Sequence, residues 1–250
     1  MIELFRNNSA KSGIQSYKHF DLNGNVITLK KCSYTKNGIQ LIQNEKHGWE
    51  WYQNSYDFAN EIMIEHRTSG TSYEQIKISW AKNFKKRRYF ADLFENEGII
   101  LKAIEHYCNV WTDSKECPFH GDFSIDNILF KGDQVLIIDW EHFNEKQKAP
   151  WGFDLIHLFF ESMWLSMKYS RRTRARLRDI IRISELLEEI TTKKPNFSFW
   201  KKSPLQKLTT FMWENQNLWG EIIQKHPEKF PVLNFSKWQI ENIDSFFQIR

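Results

Sequence analysis

Two short stretches concentrate the oxygen chemistry of this chain. One is His120-Gly121-Asp122-Phe123-Ser124-Ile125-Asp126-Asn127, running into Ile128-Leu129-Phe130; the other is Ile137-Ile138-Asp139-Trp140-Glu141. Two carboxylates and a carboxamide fall at loop-to-strand boundaries, where a rigid hairpin can aim them into a cleft. A hard cation such as Mg²⁺ prefers oxygen ligands and keeps several waters, so one or two carboxylates plus substrate phosphates suffice to hold it. Asp139 and Asn127 can supply such oxygens across a hairpin. Asp122, upstream of Asn127, stays available to accept a proton from a hydroxyl. These are the parts of a phosphoryl-transfer site, where positioning and charge neutralisation matter more than covalent chemistry.

The elements that must position these groups can be read from turn chemistry and periodicity. Lys131-Gly132-Asp133-Gln134 separates two apolar runs and predicts a hairpin immediately before Asp139. Nearer the N-terminus, Ile14 to Phe20 and Val26 to Lys30 flank Asp21-Leu22-Asn23-Gly24-Asn25, a second hairpin signal. Ile39 to Tyr52 carries apolar residues at helical spacing, Tyr73 to Trp80 alternates like a strand, and Arg88 to Leu93 does so less clearly. The first ninety or so residues thus read as a small sheet crossed by one helix. Phe94 to Trp111 reads as a helix, Cys117 to Asp122 as irregular, and the chain from Phe153 on as long helices broken near Pro195, Pro204, Pro227 and Pro231.

His-Gly-Asp followed by four residues and Asn, and then Ile-Asp-Trp-Glu, resembles the aminoglycoside phosphotransferase and choline kinase group, small-molecule kinases with a protein-kinase-like fold. Trp151-Gly152-Phe153-Asp154-Leu155-Ile156-His157 is similar to that group's Asp-containing helix start, and the match runs from Phe119 to Leu158. The resemblance implies an α+β, bilobal architecture: a β-rich lobe over residues 1–92 that covers the nucleotide, and a mainly helical lobe over residues 93–250. It makes Asp122 the catalytic base, Asn127 and Asp139 the Mg²⁺ ligands, and Asp154 a support for the catalytic loop, with His120 bracing that loop. Leu29-Lys30 is similar to the group's Leu-Lys, so Lys30 is expected to hold the ATP phosphates. Lys31 is the competing choice, since a shift of one residue exchanges strand faces. Glu45 is the expected partner of that lysine, with Glu50 as the runner-up. Ser9-Ala10-Lys11-Ser12-Gly13 stands where a phosphate-covering loop belongs, with Ser12 and Gly13 as nucleotide contacts through backbone amides. Tyr89 to Leu93 is the expected hinge.

Composition sets the outer limits. Of 250 residues, 41% are hydrophobic and 26% charged, ordinary proportions for a folded domain and not for a disordered chain. The start, Met1 to Arg6, lacks the apolar stretch of a signal peptide, and three cysteines (Cys32, Cys108, Cys117) are too scattered for a disulfide framework, so a cytoplasmic protein is expected. Net charge is +4. From Asn144 onward, however, 18 Lys/Arg face 12 Asp/Glu, a positive excess that favours a neutral or anionic acceptor such as a sugar, a glycan end or a lipid-linked saccharide. Choline, ethanolamine or an aminoglycoside is the alternative acceptor. A pseudokinase scaffold or anion-binding module is the alternative of a different class, supported by the single glycine of Ser9–Gly13. The basic runs Lys85–Arg88 and Arg171–Arg178 read mostly as solvated surface, with an anionic membrane surface as a further partner and nucleic acid not expected.

Overall fold

Asp21 organises the first hairpin. Its Oδ1 accepts the backbone N–H groups of Asn23 (2.9 Å) and Asn25 (2.8 Å), and its Oδ2 accepts the Asn25 side-chain amide. Gly24 supplies the positive φ (79°) that the turn requires. The hairpin joins β2 (Ile14–Phe20) to β3 (Val26–Ser33). In the computed structural model, which describes residues 2–7, 12–69, 72–79, 85–86, 97–111, 116–155 and 157–158, these strands belong to a five-stranded antiparallel sheet. Its other members are β1 (Ile2–Asn7), β4 (Ile64–Ser69) and β5 (Tyr73–Ser79), in the order β1-β2-β3-β5-β4. β5 follows the expected alternation: Glu74, Ile76 and Ile78 are buried, while Tyr73, Gln75 and Lys77 are half-buried.

α1 (Lys36–Ser55) packs on β3 and β5. Thr35 caps it, its side chain accepting the Gly38 N–H at 3.1 Å. Ile39, Ile42, Glu45, Trp49 and Tyr52 form its buried stripe, at steps of three and four residues. The predicted helix is thus present and begins earlier than periodicity alone indicated, because polar Lys36 and Asn37 follow the cap.

By contacts the chain divides into two compact units. The first holds Met1–Lys86, Pro118–Asp122 and Asn127–Lys148; the second holds Arg87–Cys117, Phe123–Asp126 and Ala149–Arg250. In the first, β8 (Ile128–Lys131) and β9 (Gln134–Ile137) form the predicted hairpin, and β6 (Lys85–Lys86) pairs with β8. In the second, α2 (Glu97–Val110) buries Ile100, Ala103, Ile104 and Tyr107. Trp111 stacks on Tyr107 at 4.4 Å, Phe123 and Trp151 pack beside them, and the Trp151 indole donates to the Trp111 carbonyl at 2.8 Å.

One sequence expectation needs correction. Glu116–Phe119 is a strand (β7), paired with β10 (Asn144–Pro150), so the stretch before His120 is not irregular throughout. β1 and β4 were not expected, and β10 was not either. The expected strand at Arg88 to Leu93 with its hinge, the 92/93 lobe boundary, Arg171–Arg178 and the helices beyond Leu158 lie outside the described residues. Among the described residues, no helix is long and apolar enough to cross a membrane.

Candidate functional site

The ionic part of the site is built on β3. Strand alternation sends adjacent side chains to opposite faces, and it is Lys31, only 4% exposed, that turns under α1. Its ammonium is 2.8 Å from Glu45 Oε2, 2.5 Å from Asp139 Oδ1 and 2.8 Å from Glu141 Oε1. Lys30 faces the other way, level with Tyr17 and Lys77, with its ammonium 5.8 Å from the Tyr17 ring centre. The expectation for Lys30 is therefore corrected: Lys31 is the partner of Glu45. Glu50 sits on the exposed side of α1 with Lys46 and takes no part.

Burial by itself pushes the Lys31 pKa down. The charges of Asp139, Glu141 and Glu45 more than reverse this, so the ammonium is held well above its usual range. Glu45 moves the other way from an ordinary ion-paired carboxyl. Burial, reinforced by Asp139 and Glu141, outweighs the attraction of Lys31 and raises it to about 7. Three carboxylates around one ammonium leave the cluster short of positive charge.

Asp139 reaches Lys31 from an unusual backbone. Its φ of 67° makes it the one non-glycine residue with positive φ among the described residues. Asp tolerates this left-handed region better than most residues. The 3-10 turn Trp140–His142 follows at once, fixed by the Trp140 indole donating to the Ile137 carbonyl at 3.2 Å. Gly48 of α1 lies against this turn so closely that a Cβ there would come within 2.6 Å of Trp140 Cβ.

The hydrogen-bonded part of the site is the loop from His120 to Asn127. His120 is fully buried, with its ring 4.5 Å from the Trp140 ring. Its Nδ1 accepts the Asp122 N–H at 3.2 Å, which assigns the proton to Nε2, and Nε2 donates to the Ile138 carbonyl at 3.1 Å. Gly121 has φ 83°, and a Cβ there would meet the His142 carbonyl oxygen at 2.6 Å. The 3-10 turn Ile125–Asn127 brings Asn127 back, so that its amide donates to the Asp122 carbonyl (2.9 Å) and to Asp122 Oδ2 (3.1 Å). The Ile138 N–H donates to the Asn127 carbonyl at 2.9 Å. Two bonds to Ile138, one from each end of the loop, thus tie Asp122 and Asn127 to the residue before Asp139.

Ser12 and Gly13 are anchored to the start of α1. The Ser12 carbonyl accepts from the Asn37 amide at 3.3 Å, and the Gly13 carbonyl from the Ser33 hydroxyl at 2.7 Å. Ser9 to Lys11 lie outside the described residues. Asp154 is fully buried within the second unit. Glu141 was given no role by the sequence reading, although the signal was in its motif, a second carboxylate two residues beyond Asp139. Asp139, Glu141 and Glu45 offer carboxylate oxygens within 4.8 Å of one another, gathered around the Lys31 ammonium, and the side-chain oxygens of Asp139 and Asn127 are of the type that Mg²⁺ takes.

No protein-family model matches the chain, and no curated protein matches it. It is similar to a solved choline/ethanolamine kinase family protein from Mesorhizobium loti, at 10% identity and a TM-score of 0.34, over 93% of this chain and 92% of the other. It is also similar to choline kinase LicA from Streptococcus pneumoniae, at 11% identity and a TM-score of 0.38, over 94% of each chain.

Proposed function

We propose that the chain is an ATP-dependent phosphotransferase that moves the γ-phosphoryl group to a hydroxyl of a small molecule. The observation that carries this reading is the adjacency of two arrays: the loop from His120 to Asn127 is bonded at both ends to the backbone of Ile138, and the next residue, Asp139, is ion-paired to Lys31 beside Glu45 and Glu141.

Lys31 would bear on the α- and β-phosphates, with Glu45 keeping its ammonium in place. Asp139 and Asn127 would hold Mg²⁺, which when bound neutralises phosphate charge. Asp122 would orient the acceptor hydroxyl and take its proton, while His120 holds the loop through the Asp122 N–H. Ser12 and Gly13 would cover the phosphates, and Asp154 would support the loop from the second lobe. Lobes of residues 1–92 and 93–250 remain part of this reading.

For the acceptor, the basic excess from Asn144 on favours a neutral or anionic alcohol, a saccharide first, over a polycationic amino sugar. Choline and ethanolamine, held by cation–π contacts to tryptophan or tyrosine, form the second class. The test is ATP consumption by the purified chain with Mg²⁺ and each acceptor class in turn. Turnover that depends on an acceptor and disappears in Asp122→Ala supports the reading. ATP binding without turnover for any acceptor would leave a pseudokinase in its place.

A further inference from the structure

The two oxygens of Glu45 have different partners. Oε2 faces Lys31, and Oε1 accepts the indole N–H of Trp49 at 3.0 Å. Trp49 stands four residues on, one turn along α1, and both side chains are 1% exposed. The indole N–H can only donate. Its ring is held between Tyr52, at 6.0 Å, and Trp140, at 6.4 Å, the residue that follows Asp139. A glutamate has three side-chain torsions to fix, whereas the indole has two and is buried against neighbouring rings.

We propose that Trp49 is a positioning residue for Lys31: its N–H fixes the plane of the Glu45 carboxylate so that the second oxygen faces the ammonium, and its ring registers this pair against the turn that carries Asp139. Without that donor, Glu45 has a buried oxygen lacking a partner and turns to find one. Lys31 is then left to Asp139 and Glu141, and Asp139 is also the residue assigned to the metal. The consequence for nucleotide binding rests on the phosphotransferase reading, whereas the orientation of Glu45 does not.

The test is a cycle of Trp49→Phe, Glu45→Ala and the double variant, read by calorimetric affinity for ATP with Mg²⁺ and by urea midpoint without nucleotide. Trp49→Phe keeps an aromatic ring and removes the donor. It should weaken ATP binding about tenfold, the scale of one hydrogen bond to a charged group, with a smaller change in kcat at saturating ATP. In the Glu45→Ala background the same substitution should change affinity little. An equal loss in both backgrounds would overturn the proposal and make Trp49 a packing residue. If the Phe variant fails to fold, β-benzothienylalanine at position 49 keeps the bicyclic shape without the N–H. If the wild type binds no ATP, the phosphotransferase reading fails. The urea midpoints still decide the positioning: losses that do not add support it, and additive losses overturn it.

Discussion

Around Lys31, three carboxylates converge on one buried ammonium, whereas around Asp122 the links run through a neutral imidazole, a carboxamide and two backbone groups. Both arrays end at the same short stretch, Ile138 and Asp139. An array of like charges balanced by one cation responds to pH, to other cations and to loss of that cation. An array held by hydrogen bonds around a single carboxylate, Asp122, responds chiefly to geometry. A phosphoryl-transfer site needs both, one part to neutralise moving phosphates and one to hold a hydroxyl still.

Breaking the hydrogen-bonded array at its reactive end should have the largest effect. Asp122→Ala should lower turnover by about a thousandfold, within the range for loss of a general base, while ATP affinity stays near that of the wild type. Steady-state rates beside calorimetry check both halves of that statement. Next comes the ionic array, where two neighbouring lysines serve as each other's control. Lys31→Met leaves buried carboxylates without their cation and should cost about 3 kcal/mol of stability, with loss of ATP binding. Lys30→Met, on the opposite face, should stay within about 0.5 kcal/mol. Urea unfolding of the two variants gives the comparison directly.

The joint between the arrays is tested by Gly48→Ala. Alanine favours a helix, yet its Cβ would meet Trp140 at 2.6 Å. Overpacking should win, for a net loss of about 1–3 kcal/mol, read as a lower melting temperature. The smallest effect sharpens the contrast. The folded pKa of Glu45, about 7, lies above its ordinary 4.5, so the folded chain holds that proton more tightly than the unfolded one. Its stabilisation is complete below the unfolded value and is lost as pH rises through the folded one. The Lys31 shift acts only above 10.5 and does not enter this window. The wild-type urea midpoint should therefore fall relative to that of Glu45→Gln as pH is raised from about 5 to about 8, and parallel curves would remove Glu45 as their source.

What could be read in advance follows from how local each signal is. Asn23-Gly24 and Gly132-Asp133 act within a few residues, so both hairpins were legible. That Asp122, Asn127 and Asp139 are brought together was legible because loop chemistry constrains residue types at fixed spacing, whereas their roles belong to the proposed reading. Lys31 was not separable from Lys30, since the run Leu29-Lys30-Lys31-Cys32 offers a lysine to either face, and only the carboxylates from α1 and the Asp139 turn decide between them. β4, Ile64-Glu65-His66-Arg67-Thr68-Ser69, has one large apolar residue and lies at the sheet edge, where half its pairing and most of its burial pattern are missing. Glu45 was found through its partner's motif. Trp49 was not, because an indole N–H aimed at a carboxylate one turn away looks, in sequence, like one more core tryptophan.

The central claim is that Lys31 and Asp139 form one phosphate-and-metal site. Titration of ATP into the wild type, Asp139→Asn and Lys31→Met, each with and without Mg²⁺, tests it most directly. The account predicts Mg²⁺-enhanced binding in the wild type, loss of that enhancement in Asp139→Asn, and weak binding under both conditions in Lys31→Met. Absence of wild-type binding at millimolar ATP, or a Mg²⁺ response that survives in Asp139→Asn, would contradict it.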